Sequence, residues 1–212
     1  MTYILYVDDR LLVLDKPSGL LAVPGRGPDK QDCLASRALI QFPSARVVHR
    51  LDRDTSGVFV MALDAETQRI LGRQFEERRI AKTYLAVVAG IVSQESGRID
   101  LPLRKDFDHP PRHMVDHLQG KPAETEWRVL HRGADRTWLE LRPRTGRSHQ
   151  LRIHLQQIGH PILGDPLYAT AEIQALAPRL LLHAASLCLV HPSTDAALTV
   201  TSPCGFWPIV ET

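Results

Sequence analysis

Six consecutive apolar residues, Val58-Phe59-Val60-Met61-Ala62-Leu63, stand between the polar run 49–57 and Asp64. Six residues fall far short of the roughly 20 needed to cross a bilayer as a helix. The run also lacks the alternation of a strand with one wet face, so it predicts a buried strand. Any fold available to this chain must place that segment in a core and bring part of the preceding polar loop with it. The chain of 212 residues is long enough to build such a core without cysteine staples or a metal. At roughly 100–200 residues per domain, it makes one domain or two intimate lobes.

Other elements arrange themselves around this strand. Short β-prone runs at 3–7 and 11–15 flank the turn Asp8-Asp9-Arg10. Leu34, Ala35, Ala38, Leu39 and Phe42 recur at helical spacing, predicting a helix over 31–42 that Pro43 stops. Asp64 is placed to cap a helix whose Ile70, Leu71 and Phe75 face inward. Residues 83–92 read as a long strand, 104–121 as a loop, and 123–130 and 137–142 as two strands. Residues 148–158 predict a helix ended by Gly159. Strands are expected near 180–182, 187–190 and 197–201. Strands outnumber the scattered helices, which predicts an α+β fold with a mixed, largely antiparallel sheet and flanking helices.

Several function classes fall away. Cys33, Cys188 and Cys204 are odd in number and widely spaced, which excludes a disulfide framework and a cysteine-based zinc site and points to a reducing compartment. The N-terminus soon meets Asp8-Asp9-Arg10, unlike a signal peptide, so a cytoplasmic protein with no membrane partner is expected. No glycine-rich phosphate loop and no Gly-x-Ser-x-Gly elbow occurs. The formal net charge is only +2, but 21 of the 26 basic residues are Arg. Arginine suits phosphates and bases. A coding bias that favours Arg over Lys explains the same count.

Chemistry concentrates in two segments. His49-Arg50-Leu51-Asp52-Arg53-Asp54-Thr55-Ser56-Gly57 packs carboxylates, guanidiniums, an imidazole and hydroxyls into nine residues. A solvated turn has a similar composition. This one, however, runs into the buried strand, and a carboxylate near a core needs a cation or N–H donors. The second segment runs from Arg142 to His154, where the turn Thr145-Gly146 feeds a helix whose N-terminus suits phosphate. Arg152 lies away from the Leu151/Leu155 stripe, placed to pair a carboxylate of another segment. The alternative is a surface arginine. His149, His154 and His160 are five and six residues apart, off one helical face, so no metal site is expected.

His49-Arg50-Leu51-Asp52-x-x-Thr55-Ser56-Gly57 resembles the signature of the RluA family of pseudouridine synthases. So do Lys16-Pro17-Ser18-Gly19-Leu20, Lys82-x-Tyr84-x-Ala86, Thr145-Gly146-Arg147-x-His149-Gln150-Leu151-Arg152-x-His154, His160-Pro161-Ile162-x-Gly164-Asp165 and Leu180-Leu181-Leu182-His183-Ala184, in the family's order. Asp15 departs from the Asn that many relatives carry before Lys-Pro. Length, Val23-Pro24-Gly25-Arg26 and Ala177-Pro178-Arg179 look most like the members that act on both 23S rRNA and tRNA.

The resemblance implies the pseudouridine synthase fold and a single catalytic domain over 1–212, with no N-terminal accessory RNA-binding module. It implies isomerisation of specific uridines in structured RNA, 23S rRNA or a tRNA anticodon stem-loop, by a monomer. In it Asp52 is the essential aspartate, Tyr84 packs on the target base, and Arg152 pairs with the aspartate. Lys82 is a basic neighbour of that tyrosine, and Leu182 lies under the base. His49, Arg50, Arg53, Thr55, Arg147 and His149 match substrate- or RNA-facing positions. Breaking C1′–N1 and making C1′–C5 is redox-neutral, so no cofactor is expected. Two other readings compete: a noncatalytic RNA-binding protein on the same scaffold, and a metal-dependent nucleic-acid hydrolase. Intact Asp52, Tyr84 and Arg152 count against the first; metal content discriminates the second.

Overall fold

A computed structural model describes residues 3–206. The ends of the expected 1–212 domain, residues 1–2 and 207–212, lie outside the described residues. The chain divides into two compact units: residues 1–76 with 183–212, and residues 77–182 between them.

The first unit is built on β1 (Ile4–Val7), β2 (Leu11–Lys16), β3 (Arg46–Val47), β4 (Ser56–Ala62), β12 (Ala197–Thr201) and all but the first residue of β11 (Leu182–Val190). Every residue of β4 is buried, as its unbroken apolar run requires. Antiparallel β2 and parallel β11 flank it, β1 lies on β2, β12 on β11, and β3 on the far end of β4. The helix expected over 31–42 begins at Leu34 as α1 (Leu34–Gln41). It starts there because Cys33 caps it: the Cys33 thiol accepts the Ser36 N–H, and Ser36 Oγ accepts the Cys33 N–H. Helix α2 (Ala65–Glu76) begins at the expected cap, where the two Asp64 oxygens accept the Thr67 N–H and hydroxyl.

The second unit carries an antiparallel sheet in the order β5 (Ala81–Ala89), β10 (Arg136–Pro143), β9 (Glu124–Arg132), β6 (Ser96–Asp100). Helix α3 (Gln150–Gln157) packs Leu151 and Leu155 into a core with Ala86, Val88, Trp127, Leu139 and Leu141. A short α4 spans Ala171–Ala175. The fold is α+β, with a mixed, mostly antiparallel strand pairing and few helices.

Two expectations need correction, and one strand has no signal in the sequence. Segment 104–121 is not all loop: β7 (Leu103–Lys105) and β8 (His113–Val115) pair as a hairpin whose arms are too short to show a period. The strands expected near 180–182 and 187–190 form one strand, β11. His183 and Ala184 pair with Ser56 and Gly57, and Ser186 pairs with Thr201, so the polar middle stays in the ladder. The strand without a signal is β6, which has a single buried residue, Ile99, and no apolar alternation. Its Gly97 leaves room for the Trp127 ring, on which a Cβ would sit 2.6 Å from the nearest carbon. Among the described residues, no helix is long and apolar enough to cross a membrane.

Candidate functional site

His49, Arg50, Asp52, Arg53 and Thr55 belong to the first unit; Lys82, Tyr84, Arg147, His149, Arg152 and Leu182 belong to the second.

In the first unit the loop before β4 is held from below by the segment that ends β2. Lys16 is fully buried. Its ammonium donates to the carbonyls of Pro17 (2.9 Å), Leu20 (2.6 Å) and Arg53 (2.7 Å). The Gly19 N–H also reaches the Arg53 carbonyl, and the Ser18 hydroxyl donates to the Asp54 carbonyl at 2.7 Å. Burial pushes the Lys16 ammonium down to about 8, against the upward pull of the Asp54 and Asp52 carboxylates. The residue following Arg50 and Leu51 thus sits on a clamped backbone with a buried cation nearby. A turn closes the loop, the Thr55 N–H donating to the Asp52 carbonyl at 3.3 Å. Thr55 is buried, whereas Arg50 and Arg53 are exposed. Arg53 forks onto its neighbour Asp54, with Nε to Oδ1 at 2.9 Å.

Two further groups fix the loop ends. His49 Nε2 accepts the Val60 N–H at 3.0 Å, and its ring stacks on Phe75 with 4.8 Å between centroids. A position expected to face RNA therefore also brackets the loop to β4 and α2. At the other end Gly57 has φ +107°, and a Cβ there would come 2.2 Å from the Ala184 carbonyl oxygen, so only glycine fits. Next to it the Ser56 hydroxyl meets His183 Nδ1 at 2.9 Å in the buried sheet.

In the second unit Lys82 and Tyr84 occupy alternate positions of β5 and share a face. Lys82 Nζ lies 3.5 Å from the Thr145 carbonyl. Burial pushes its ammonium below the ordinary lysine range, and Arg78 acts in the same direction. Tyr84 and buried Leu182 both pack into the α3 core cluster. The turn before α3 is organised by buried Gln150. Its Oε1 accepts the Thr145 hydroxyl and the Arg147 N–H, and its Nε2 donates to the Glu124 carbonyl. His149 follows in the left-handed conformation, φ 56°, with Nδ1 2.7 Å from the Tyr168 hydroxyl.

Arg152 is buried, 2% exposed, as an inward-reaching arginine requires. The carboxylate it takes within this unit belongs to Asp165, a residue the sequence reading did not single out. Nε donates to Oδ2 at 2.8 Å and Nη2 to Oδ1 at 2.5 Å. His154 is buried between Thr125 Oγ1 and the Leu101 carbonyl, and burial lowers its pKa, leaving it neutral. His160 Nδ1 meets the Ala89 carbonyl at 2.9 Å. Among the described residues no three His, Cys, Asp or Glu side chains converge as metal ligands.

Sequence reasoning passed over Lys16, Asp165 and Tyr168 as individual residues. The only available signals were the turn Lys16-Pro17-Ser18-Gly19 after an apolar run, and the Gly164-Asp165 motif.

Residues 10–157 match the family model described as RNA pseudouridylate synthase. The chain is similar to the Dual-specificity RNA pseudouridine synthase RluA of Escherichia coli strain K12. The two are 48% identical over 204 residues, 96% of this chain and 93% of that protein. The protein of the same name from Yersinia pestis is 50% identical over 190 residues, 89% of this chain and 92% of its own. Among solved structures, Human RNA Pseudouridylate Synthase Domain Containing 1 superposes with a TM-score of 0.82 at 29% identity, covering 97% of this chain and 84% of that one.

Proposed function

The chain belongs to the RNA pseudouridylate synthase family and is an RNA pseudouridine synthase, and from that premise we propose that its substrates are uridines in 23S rRNA and in a tRNA anticodon stem-loop. The observation that carries the choice of substrates is 48% identity, over nearly the whole of both chains, to a relative named for dual specificity. Residues 1–212 act as one catalytic domain, as a monomer in the cytoplasm.

Asp52 is the carboxylate that starts cleavage of the C1′–N1 bond. Support comes from its motif position and from the clamp that Lys16, Ser18 and Gly19 place on residues 53 and 54. Arg152 is its guanidinium partner. Tyr84 gives the detached uracil a π-face while the ring turns to present C5, and Leu182 supplies apolar surface beneath it. Lys82 lies beside that tyrosine. The target nucleotide must leave its stack, at a cost of a few kcal/mol. Arg50 holds the opened backbone, with His49, Arg53 and Thr55 shaping the loop that carries it; Arg147 and His149 meet RNA beside α3. C1′–C5 replaces C1′–N1 and the C5 proton moves to solvent and back to nitrogen, so the balance calls for no oxidant, reductant or cofactor.

Tritium release from 5-tritiated uridine in an anticodon stem-loop tests the assignment. Asp52→Asn removes one charge at nearly constant shape. Release should fall to background while stem-loop affinity stays within about threefold of wild type. Release near the wild-type rate would move the role to another carboxylate, with Asp54 the first to test.

A further inference from the structure

Arg152 leaves α3 into an environment prepared for it on two sides. Asp165, 1% exposed, takes Nε and Nη2 in a fork-to-fork pair. The carboxylate is itself immobilised, because Oδ1 also accepts the N–H groups of Leu167 (2.8 Å) and Tyr168 (3.1 Å). Arg152 Cζ also lies over the Tyr168 ring, 5.1 Å from the ring centroid. That ring is pinned at its far end. The Tyr168 hydroxyl accepts the His113 N–H of β8 at 2.8 Å and meets His149 Nδ1 at 2.7 Å. A second guanidinium, that of Arg112, stands 5.4 Å from the same ring.

A buried charge pair of this kind is a weak source of stability, since desolvating both ions consumes most of their attraction. What it does supply is direction: a planar fork held by two bonds and lying over an aromatic ring cannot swivel. We propose that Asp165 and Tyr168 are positioning residues that hold the Arg152 guanidinium at one angle for the reacting carboxylate. The proposal rests on the reading of Arg152 as the partner of Asp52. It adds that catalytic rate depends on two residues that act only through Arg152.

Single-turnover tritium release, stem-loop affinity and thermal unfolding, measured on Arg152→Lys, Asp165→Asn, Tyr168→Phe and the Arg152→Lys/Asp165→Asn double variant, test it. Asp165→Asn keeps the shape and one acceptor but loses the second charged bond. It should slow the chemical step by about tenfold or more with affinity within about threefold. The double variant should be no slower than Arg152→Lys alone, because both changes remove one orientation. Tyr168→Phe keeps the ring but frees it from His113 and His149. It should slow the step by about three- to tenfold at unchanged affinity, and it decides the matter if Asp165→Asn does not fold. A purely structural role would lower the unfolding temperature and leave the folded Asp165→Asn and Tyr168→Phe enzymes at the wild-type rate, and a role independent of Arg152 would give rate losses that multiply in the double variant. Any of these results in the rate overturns the proposal. Wild-type turnover in Arg152→Lys would instead remove the reading of Arg152 on which it stands.

Discussion

Lys16 shows how much a single side chain can organise. A lysine in sequence reads as solvated, and only the fold reveals that its ammonium serves three carbonyls in a site without water contact. Lys16→Met preserves volume and strands those acceptors, at roughly 1–3 kcal/mol each, so a loss of at least about 3 kcal/mol is expected. The urea midpoint at constant m reads it. The pH dependence has a definite sign. Folded Lys16 titrates near 8 and the unfolded side chain at 10.5, so between those values the unfolded chain binds more protons. Wild-type stability should therefore rise relative to Lys16→Met from pH 8 toward 10.5; a constant gap across that window contradicts a buried ammonium. The polar run 49–57 that Lys16 clamps was legible where Lys16 was not, because a dense polar segment entering an apolar strand marks itself, although composition alone does not choose between its two carboxylates, Asp52 and Asp54. Asp165 was illegible for another reason: its partner lies 13 residues away across a turn, and no periodicity links the two.

Elements were legible where local chemistry decides them. The α2 start follows from Asp64 and Thr67, and Asp64→Ala should cost about 1 kcal/mol of unfolding free energy. The Thr67 N–H and hydroxyl hold the Asp64 carboxyl down to about 2, so this contribution is complete above pH 3.8 and fades as pH falls toward 2. Chemical denaturation of the pair of proteins at pH 7 and pH 3 checks both size and sign. Elements that tertiary pairing decides were not legible. Strand β6 has a single buried residue, Ile99, and gains its place from five partners on β9. The β7–β8 hairpin offers three residues per arm, and it is fastened to the Tyr168 hydroxyl by the His113 N–H, a contact no sequence pattern announces. The continuity of β11 likewise depends on Ser56 and the Ser202 carbonyl taking the two nitrogens of His183, which lets a polar residue remain inside a sheet.

For the whole molecule, the arginine excess is the property that bears on RNA, and the structure divides it. On the β6–β9–β10 face arginines are spoken for internally: Arg98 by Asp100 and Glu124, Arg128 and Arg142 by Glu140, Arg144 by Glu126. These alternating charges make a nearly neutral surface, consistent with a net charge of only +2, and they have little counterion atmosphere to exchange on binding. Arg147 differs: among the described residues only its Nε is committed, to the Pro122 carbonyl at 3.1 Å, beside the turn that Gln150 organises. Arg50 is exposed on the loop that carries Asp52. If arginine count alone governed affinity, every exposed arginine would contribute alike. Each phosphate neutralised in RNA should contribute about −0.7 to −0.9 to the slope of log affinity against log salt. Arg147→Ala should therefore weaken stem-loop binding across unrelated sequences and make that slope shallower by about one contact's worth, whereas Arg128→Ala, which leaves Glu140 paired with Arg142, should not make it shallower. Filter binding of wild type and both variants from low to moderate salt measures the three slopes. Equal, flat slopes would trace the arginine excess to coding bias and leave RNA affinity to stacking and hydrogen bonds.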